Sequence, residues 1–526
     1  MKNKARLLSI LGGSILVFAF GFSLVRASVQ SISHDEALTY LWFLQGGPTN
    51  LLHYDANNHI LFTFLAKPFV KLLGPSELTL RAASLLGAAF YLSFAFLLSR
   101  RLFGESFLFV ACAAVLALNP LVMDFESAAR GYGLGLAFLL GAMHFLAGCV
   151  PRGTFDPVAP EWRRDCATAS VLLGLSFAAN FTNVISAASL LAAFAVSVLP
   201  LAAMRASGNR NLLRGFVLWA VSPGVVVAAF PTWPYLIQAR PRNFYLGYPR
   251  AADSVRDLFN ATFLYRWTDD VLSSRVLSAR GLLPFPPGSW QEHVSDLGTY
   301  VFLPLLALVL LGGAIYSRAD ASPREQAASE LRRFFCRAFV ICVALILALH
   351  FAVNLKYPLS RTCLYLVPLG TVSILLLARE VSTRFPGGVL RTGGVLAAIL
   401  LIADFAACLQ MRTIRYQAYD ARSREAFLSI LHHGQSRGLT SARFGGTWWF
   451  EPEMGFYRRR YRAAWLLPYD IKDRSFEVQT ENSLEPADYD YFLYLPENEP
   501  DMSGRTVRTI FHDDKTQLTI IAISRQ

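Results

Sequence analysis

Two adjacent carboxylates, Asp35 and Glu36, lie in the stretch Ser31-Ile-Ser-His-Asp-Glu-Ala-Leu-Thr-Tyr40, directly after an apolar run from Leu7 to Val25. Carboxylates beside a bilayer are costly unless they are solvated, paired or used. An isolated pair reads as a solvated loop or a helix N-terminus. It also fits a base that takes the proton of an attacking hydroxyl. If the leaving group is a phosphate, that chemistry needs arginine or lysine nearby. Further polar groups recur on the same side of the apolar runs: Asn57, Asn58 and His59, then Asp124, Glu126 and Arg130, then Asn180 and Asn183, then Lys356 and Arg361. Carboxylates beside arginines in several connections of one bundle suggest a cavity at a membrane surface. Sugar transfer from a polyprenyl-phosphate carrier is a reaction of this kind: the tail stays in the bilayer, cations hold the phosphate, and a carboxylate deprotonates the acceptor.

The elements that must position these groups are membrane helices. The 526 residues are 54% hydrophobic and 16% charged, with mean hydropathy +0.38, a balance foreign to an ordinary soluble domain. Many apolar blocks approach the ~20 residues that span a bilayer. The net charge of +12 fits basic loops and contacts to anionic lipid headgroups, so membrane lipids and not nucleic acid are the expected partners. The seven cysteines are scattered without a C-x-x-C pair, which argues against a disulfide framework or a zinc site.

Lys2, Lys4 and Arg6 precede the first span, so the N-terminus is expected in the cytoplasm. Met1 to Leu8 imitates a signal peptide and Val25-Arg-Ala-Ser28 a cleavage site, but the apolar remainder of the chain favours a retained span. Further spans are expected near Leu78–Leu98, Phe107–Leu118, Tyr132–Val150, Ala167–Ala179, Val184–Leu201, Phe216–Phe230, Tyr300–Tyr316, Ala338–Val353, Thr362–Leu377 and Val395–Leu409. That makes roughly eleven, with the short basic connections all on the inner side. Residues 1–410 thus form the transmembrane domain, with external segments 26–77 and 231–299. Short helices on the membrane surface are expected within the first, and an external loop at Asp124 to Arg130. Residues 411–526 read as a small extracytoplasmic α/β domain, with a helix over Tyr416–Leu431 and strands near Tyr489–Leu495, Thr506–Phe511 and Gln517–Ile523.

Ser33-His-Asp-Glu-Ala37 after the first span resembles the Asp-Glu motif of the GT-C superfamily of membrane glycosyltransferases. More closely, the chain resembles the family of protein O-mannosyltransferases, lipid A aminoarabinose transferases and Rgt-type sugar transferases. Asn57-Asn-His-Ile-Leu-Phe-Thr63 is similar to that family's Asn-His/Lys-Pro-Leu-Tyr motif, with Ile60 in place of proline. Glu77-Leu-Thr-Leu-Arg-Ala-Ala-Ser-Leu85 resembles its approach to the second span, with Ala83 in place of proline. Glu126-Ser-Ala-Ala-Arg-Gly-Tyr132 resembles its turn before the fourth span. The likeness covers Ser31 to Leu201 in motifs and the later spans in architecture.

The resemblance implies an inverting transferase of the bacterial cell (inner) membrane that uses a polyprenyl-phosphate-linked sugar, hexosyl or pentosyl. It implies Asp35 as catalytic base, Glu36 assisting it or holding the acceptor, and His59, with Asn58, near the donor phosphate. Glu126, Arg130 and Asp124 would shape the same pocket. Arg361 is either a phosphate ligand or an interfacial anchor; Arg240, Arg242 and Arg250 are weaker candidates. No cofactor is implied, and the oxygen ligands lack metal-specific spacing. The acceptor, whether lipid, glycan or protein, stays open. The rival readings are a transporter or flippase of lipid-linked sugars, which would favour repeated halves and midplane helix breaks, and a degenerate membrane scaffold.

Overall fold

The computed structural model describes residues 2–47, 55, 57–199, 210–238, 247–265, 288–316, 322–384, 388–473, 488–496 and 499–524. Arg240 and Arg242 lie outside the described residues. Among them, eight helices are long and apolar enough to cross a membrane, and a ninth span is broken: Phe107–Leu118 and Pro120–Ser127 meet at a bend of 54°. A shorter apolar helix, Thr392–Ala407, and the helix Pro160–Ala179 complete the bundle. Each apolar run read from the sequence is therefore helical over most of its described length. The protein is a multi-pass helical membrane protein carrying a small C-terminal α/β unit.

Local chemistry sets the helix ends. Ser76 caps Glu77–Phe103 by accepting the Thr79 N–H at 3.1 Å, and Asn119 caps Pro120–Ser127 by accepting the Val122 N–H at 3.2 Å. Pro120, lacking an N–H, suits the first helical position, and the new cap redirects the chain into the bend. Asp124 to Arg130 is thus not a loop throughout. Its first part is a helix with Asp124 and Glu126 wholly buried. The segment expected as external from 231 is also narrower. The preceding helix runs Ser222–Gln238 through Pro231 and Pro234, and Trp290–Ile315 forms one candidate span. Exposed Phe230, Trp233 and Ile237 give that extension an apolar surface for lipid, and a membrane helix tolerates proline where neighbours satisfy the freed carbonyls.

The main core runs through the bundle, from Tyr91, Phe109 and Leu140 to Phe194, Phe334 and Leu369. A second core joins the segment after the first span to the C-terminal unit: Ile32, Ala37, Tyr40, Phe62 and Leu80 pack with Phe427, Tyr457 and Leu493. That unit carries the helices Ser423–Ser436 and Glu451–Arg460. Its strands are β1 (Phe444–Thr447), β2 (Asp470–Asp473), β3 (Tyr491–Tyr494), β4 (Thr506–His512) and β5 (Thr519–Ser524), ordered β2-β1-β3-β5-β4. β1 pairs in parallel with β2 and β3, while β5 runs antiparallel to β3 and β4. The sheet thereby stands over the residues that follow the first span. All seven cysteines are buried and unbridged.

Candidate active site

Asp35 lies in the short helix His34–Leu38, which continues into the π-turn Thr39–Leu44. Its carboxylate meets two arginines from distant parts of the bundle. Arg130 Nη2 is 3.6 Å from Oδ2, and Arg361 Nη1 is 3.1 Å from the same oxygen. Arg130 stands immediately before the helix Gly131–Cys149, and Arg361 lies in the 3-10 turn Ser360–Cys363. Burial alone would raise Asp35, but Arg130 and then Arg361 hold it down to about 2. The side chain retains 15% exposure, so the charge is paired and still reachable.

His59 stands just before the helix Ile60–Leu73. Its Nδ1 lies 3.1 Å from the Ala179 carbonyl oxygen, which fixes the proton on Nδ1. Burial, and then Arg130, push its pKa well down, so the ring is neutral and Nε2 carries a bare lone pair. Among the described residues that atom is buried without a hydrogen-bond partner. Tyr132 packs edge-on against the ring. Gly131 makes the approach possible: a Cβ there would lie 2.0 Å from the Ala179 oxygen and 2.8 Å from His59 Cβ. Asn57 Oδ1 accepts from Arg130 Nη2 at 3.2 Å. Asn58 donates to the Tyr235 hydroxyl and accepts from Thr63 at 2.9 Å.

Glu36, the other half of the pair, points into a different setting. Arg81 grips it through Nε at 2.8 Å and Nη2 at 2.6 Å, and the same guanidinium donates to the carbonyls of Ala27, Gln30 and Ser31. The Ser33 N–H (2.9 Å) and the Ala129 N–H also donate to Glu36. Burial opposes this charge, and Arg81 more than offsets it, so the carboxyl lies below its ordinary range. Both oxygens are committed to donors and the residue is fully buried. The structure leaves Glu36 no face toward an acceptor and gives it the work of folding the turn that presents Asp35.

Asp124 and Glu126 form a third group. Asp124 pairs with Arg26, accepts the Tyr265 hydroxyl at 2.7 Å and 2.8 Å, and accepts the Arg415 N–H at 3.2 Å. Glu126 accepts from Ser23 at 3.0 Å. Arg415 also reaches Asp257 at 3.4 Å, and Asp257 accepts the Ser360 N–H at 2.7 Å, next to Arg361. Arg250 precedes the helix Ala251–Phe263. Asn180 closes a tight turn by accepting the Thr182 N–H at 3.3 Å, and Asn183 bonds Ser176 at 2.9 Å.

The residues brought together are therefore Asp35, Arg130 and Arg361, with Asn57 and His59 beside Arg130. Sequence reasoning passed over Arg26, Arg81, Asp257, Tyr265 and Arg415. Arg26 and Arg81 carry a signal, since each is an arginine inside or at the edge of an apolar run, where a charge needs a partner. Among the described residues no group of three or more His, Cys, Asp or Glu is placed to hold a metal ion.

No family model matches the chain, and no curated protein matches it. Solved structures similar in overall course include the following three. ArnT from Cupriavidus metallidurans bound to undecaprenyl phosphate shares 13% identity over 98% of this chain and 97% of that one, with a TM-score of 0.45. The same protein in its apo state shares 14% over 97% of each chain, at 0.47. The oligosaccharyltransferase of Archaeoglobus fulgidus, in complex with zinc and sulfate, shares 15% over 84% of this chain and 61% of that one, at 0.44. At such low identity the functional reading rests on the site's own geometry.

Proposed function

We propose that the protein is an inverting glycosyltransferase of the GT-C type. It would move a sugar from a polyprenyl-phosphate donor to an acceptor hydroxyl on the extracytoplasmic face of a bacterial cell membrane, with the N-terminus inside and the C-terminal unit outside. The observation that carries this reading is the single carboxylate of Asp35, partly exposed and shared by Arg130 and Arg361 at one end of the bundle. A doubly paired carboxylate is a weak base. A donor phosphate entering between the arginines shares them and so raises the basicity of Asp35. As the anomeric C–O bond breaks, charge grows on the leaving phosphate and both arginines follow it. Asp35 takes the acceptor's proton as the new C–O bond forms on the opposite face, which inverts the centre. The Nε2 lone pair of His59 suits a hydroxyl of the donor sugar, since a neutral ring with Nδ1–H committed elsewhere can only accept there.

The test is sugar transfer from radiolabelled polyprenyl-phosphate sugars by purified protein with host membrane extract, comparing wild type with Asp35→Asn. Asp35-dependent transfer to an extractable product supports the reading. Equal binding of the carrier by both proteins without turnover on any common sugar overturns it.

A further inference from the structure

Asp35 divides two chemically different walls. On one side stand Arg130, Arg361 and His59, all from the bundle. On the other the C-terminal unit supplies rings and acids. His34, the neighbour of Asp35, packs edge-on against Trp448 at 5.8 Å and against Trp449 at 6.5 Å. Its Nδ1 lies 2.8 Å from the Trp449 carbonyl oxygen, and its backbone N–H donates to Asp420 at 2.7 Å. The two indoles are stacked, with centroids 4.2 Å apart and planes 25° apart, and both are only half-buried. Two tryptophans stacked on one another and partly exposed, next to a partly exposed base, form a rigid apolar wall of the sort that binds a ligand face at little entropic cost.

We infer that Trp448 and Trp449, with the ring of His34, form the acceptor subsite, and that the acceptor is an uncharged carbohydrate whose ring stacks on the indoles while one hydroxyl reaches Asp35. This rests on the transferase reading above. Three observations select a neutral sugar. A pyranose presents a C–H face for the aromatic surface and hydroxyls at its rim, matching both the indoles and the base. Behind the rings His34 meets the buried acids Asp420 and Glu453, while the arginines nearest Asp35, Arg130 and Arg361, are those assigned to the donor phosphate. Finally, the strand that delivers Trp448, β1, is paired on both edges, by β2 and by β3. It offers no free edge onto which a peptide could add as a further strand.

The experiment separates the subsite from the transferase reading. Methyl glycosides of common hexoses and N-acetylhexosamines are titrated into the Asp35→Asn protein in lipid nanodiscs, with tryptophan fluorescence as readout, so that no turnover is needed. Wild-type protein is then assayed for Asp35-dependent sugar release with the same glycosides as acceptors. The expected result is saturable quenching by neutral glycosides that disappears in Trp448→Ala and Trp449→Ala. In turnover, the same substitutions raise the acceptor KM about tenfold or more, on the scale of one lost stacking contact. The donor KM and the kcat at saturating acceptor stay within about twofold, and Trp448→Phe recovers most of the loss. Intact sugar release with an acceptor KM unmoved by either alanine variant overturns the subsite and leaves the transferase reading standing. A preference for a peptide or a phosphate-bearing acceptor overturns it equally. Saturable, tryptophan-dependent glycoside binding without any sugar release keeps the subsite and sinks the transferase reading.

Discussion

Arg361 Nη1 reaches Asp35 Oδ2 at 3.1 Å across 326 residues of chain. The contact joins the turn before the helix Leu366–Arg384 to the helix after the first span, so it exists only once the bundle has closed. If Arg361 passes from Asp35 to the donor phosphate, its removal should damage donor use far more than folding. Arg361→Ala should lower kcat/KM for the donor by about 30- to 1000-fold, the range for truncating one partner of a desolvated charge pair at about 2–4 kcal/mol. Arg361→Lys keeps the charge but loses the planar fork and should recover only part. Steady-state kinetics against lipid-phosphate concentration checks this; an unchanged donor KM and kcat would place Arg361 at the interface as an anchor.

Asp35 itself competes with the donor for both arginines. Asp35→Asn should therefore cut kcat by about 10²- to 10⁴-fold, the usual contribution of a positioned base, while binding of the lipid phosphate tightens. The pH dependence carries the same logic. In the free protein the Asp35 pKa is lowered to about 2, so its pairing is intact above the ordinary carboxylate range and is lost as pH falls from about 4 toward 2. Protonation of free Asp35 should then leave kcat/KM flat down to about pH 4, whereas kcat, which reports the donor complex, should show its acid limb at higher pH because the arginines are shared. Isothermal titration of the lipid phosphate and two pH–rate profiles check both statements, and weaker phosphate binding by the Asn variant would contradict them.

Glu36 and Arg81 should behave in the opposite way. Their bonds tie the turn 27–36 to the start of the helix Glu77–Phe103. Leaving one member of a buried pair uncompensated costs about 3–5 kcal/mol. Arg81→Met and Glu36→Gln should lower the melting temperature and yield of purified protein, whereas Asp35→Asn should not. Size-exclusion profiles and thermal melts of the three variants decide it; a stable, monodisperse Arg81→Met protein that has lost only turnover would return Glu36 to the chemistry.

Much of this arrangement is visible in the chain because membrane helices announce themselves one at a time. Each apolar run needs only its own length, and the alternation of basic and acidic connections places Asp35, Arg130 and Arg361 on one side without any knowledge of packing. What stays hidden is which charge meets which. Glu36 and Asp35 are neighbours of the same type, and only the distant Arg81 distinguishes them. Asn119-Pro120 reads equally as a stop or as a cap for a redirected helix, and burial of Asp124 against Arg26 and Tyr265 is decided in space. In the C-terminal unit the strand Phe444-Gly-Gly-Thr447 has no alternation to reveal it, and Gly446 is needed where the backbone takes φ +147° with the Leu493 carbonyl against it.

Behind His34 the carboxyls of Asp420 and Glu453 face each other in the protein interior. Among the described residues Asp420 Oδ1 and both Glu453 oxygens accept no hydrogen bond, and the two groups interact, so a single shared proton would relieve both. Burial pushes Glu453 up to about 8, and burial and then Glu453 push Asp420 up. A carboxyl whose folded pKa lies above its unfolded value stabilises most below the unfolded value, near 4.5, and loses that contribution as pH rises through the folded one. Wild-type protein should thus lose thermal stability steadily between about pH 4.5 and pH 8. Glu453→Gln, which keeps the shape and supplies an N–H donor but cannot ionise, should flatten that slope and melt higher at neutral pH. Thermal melts across this range in nanodiscs measure both slopes. If wild type and Glu453→Gln fall in parallel, the two carboxyls are separately satisfied and share no proton.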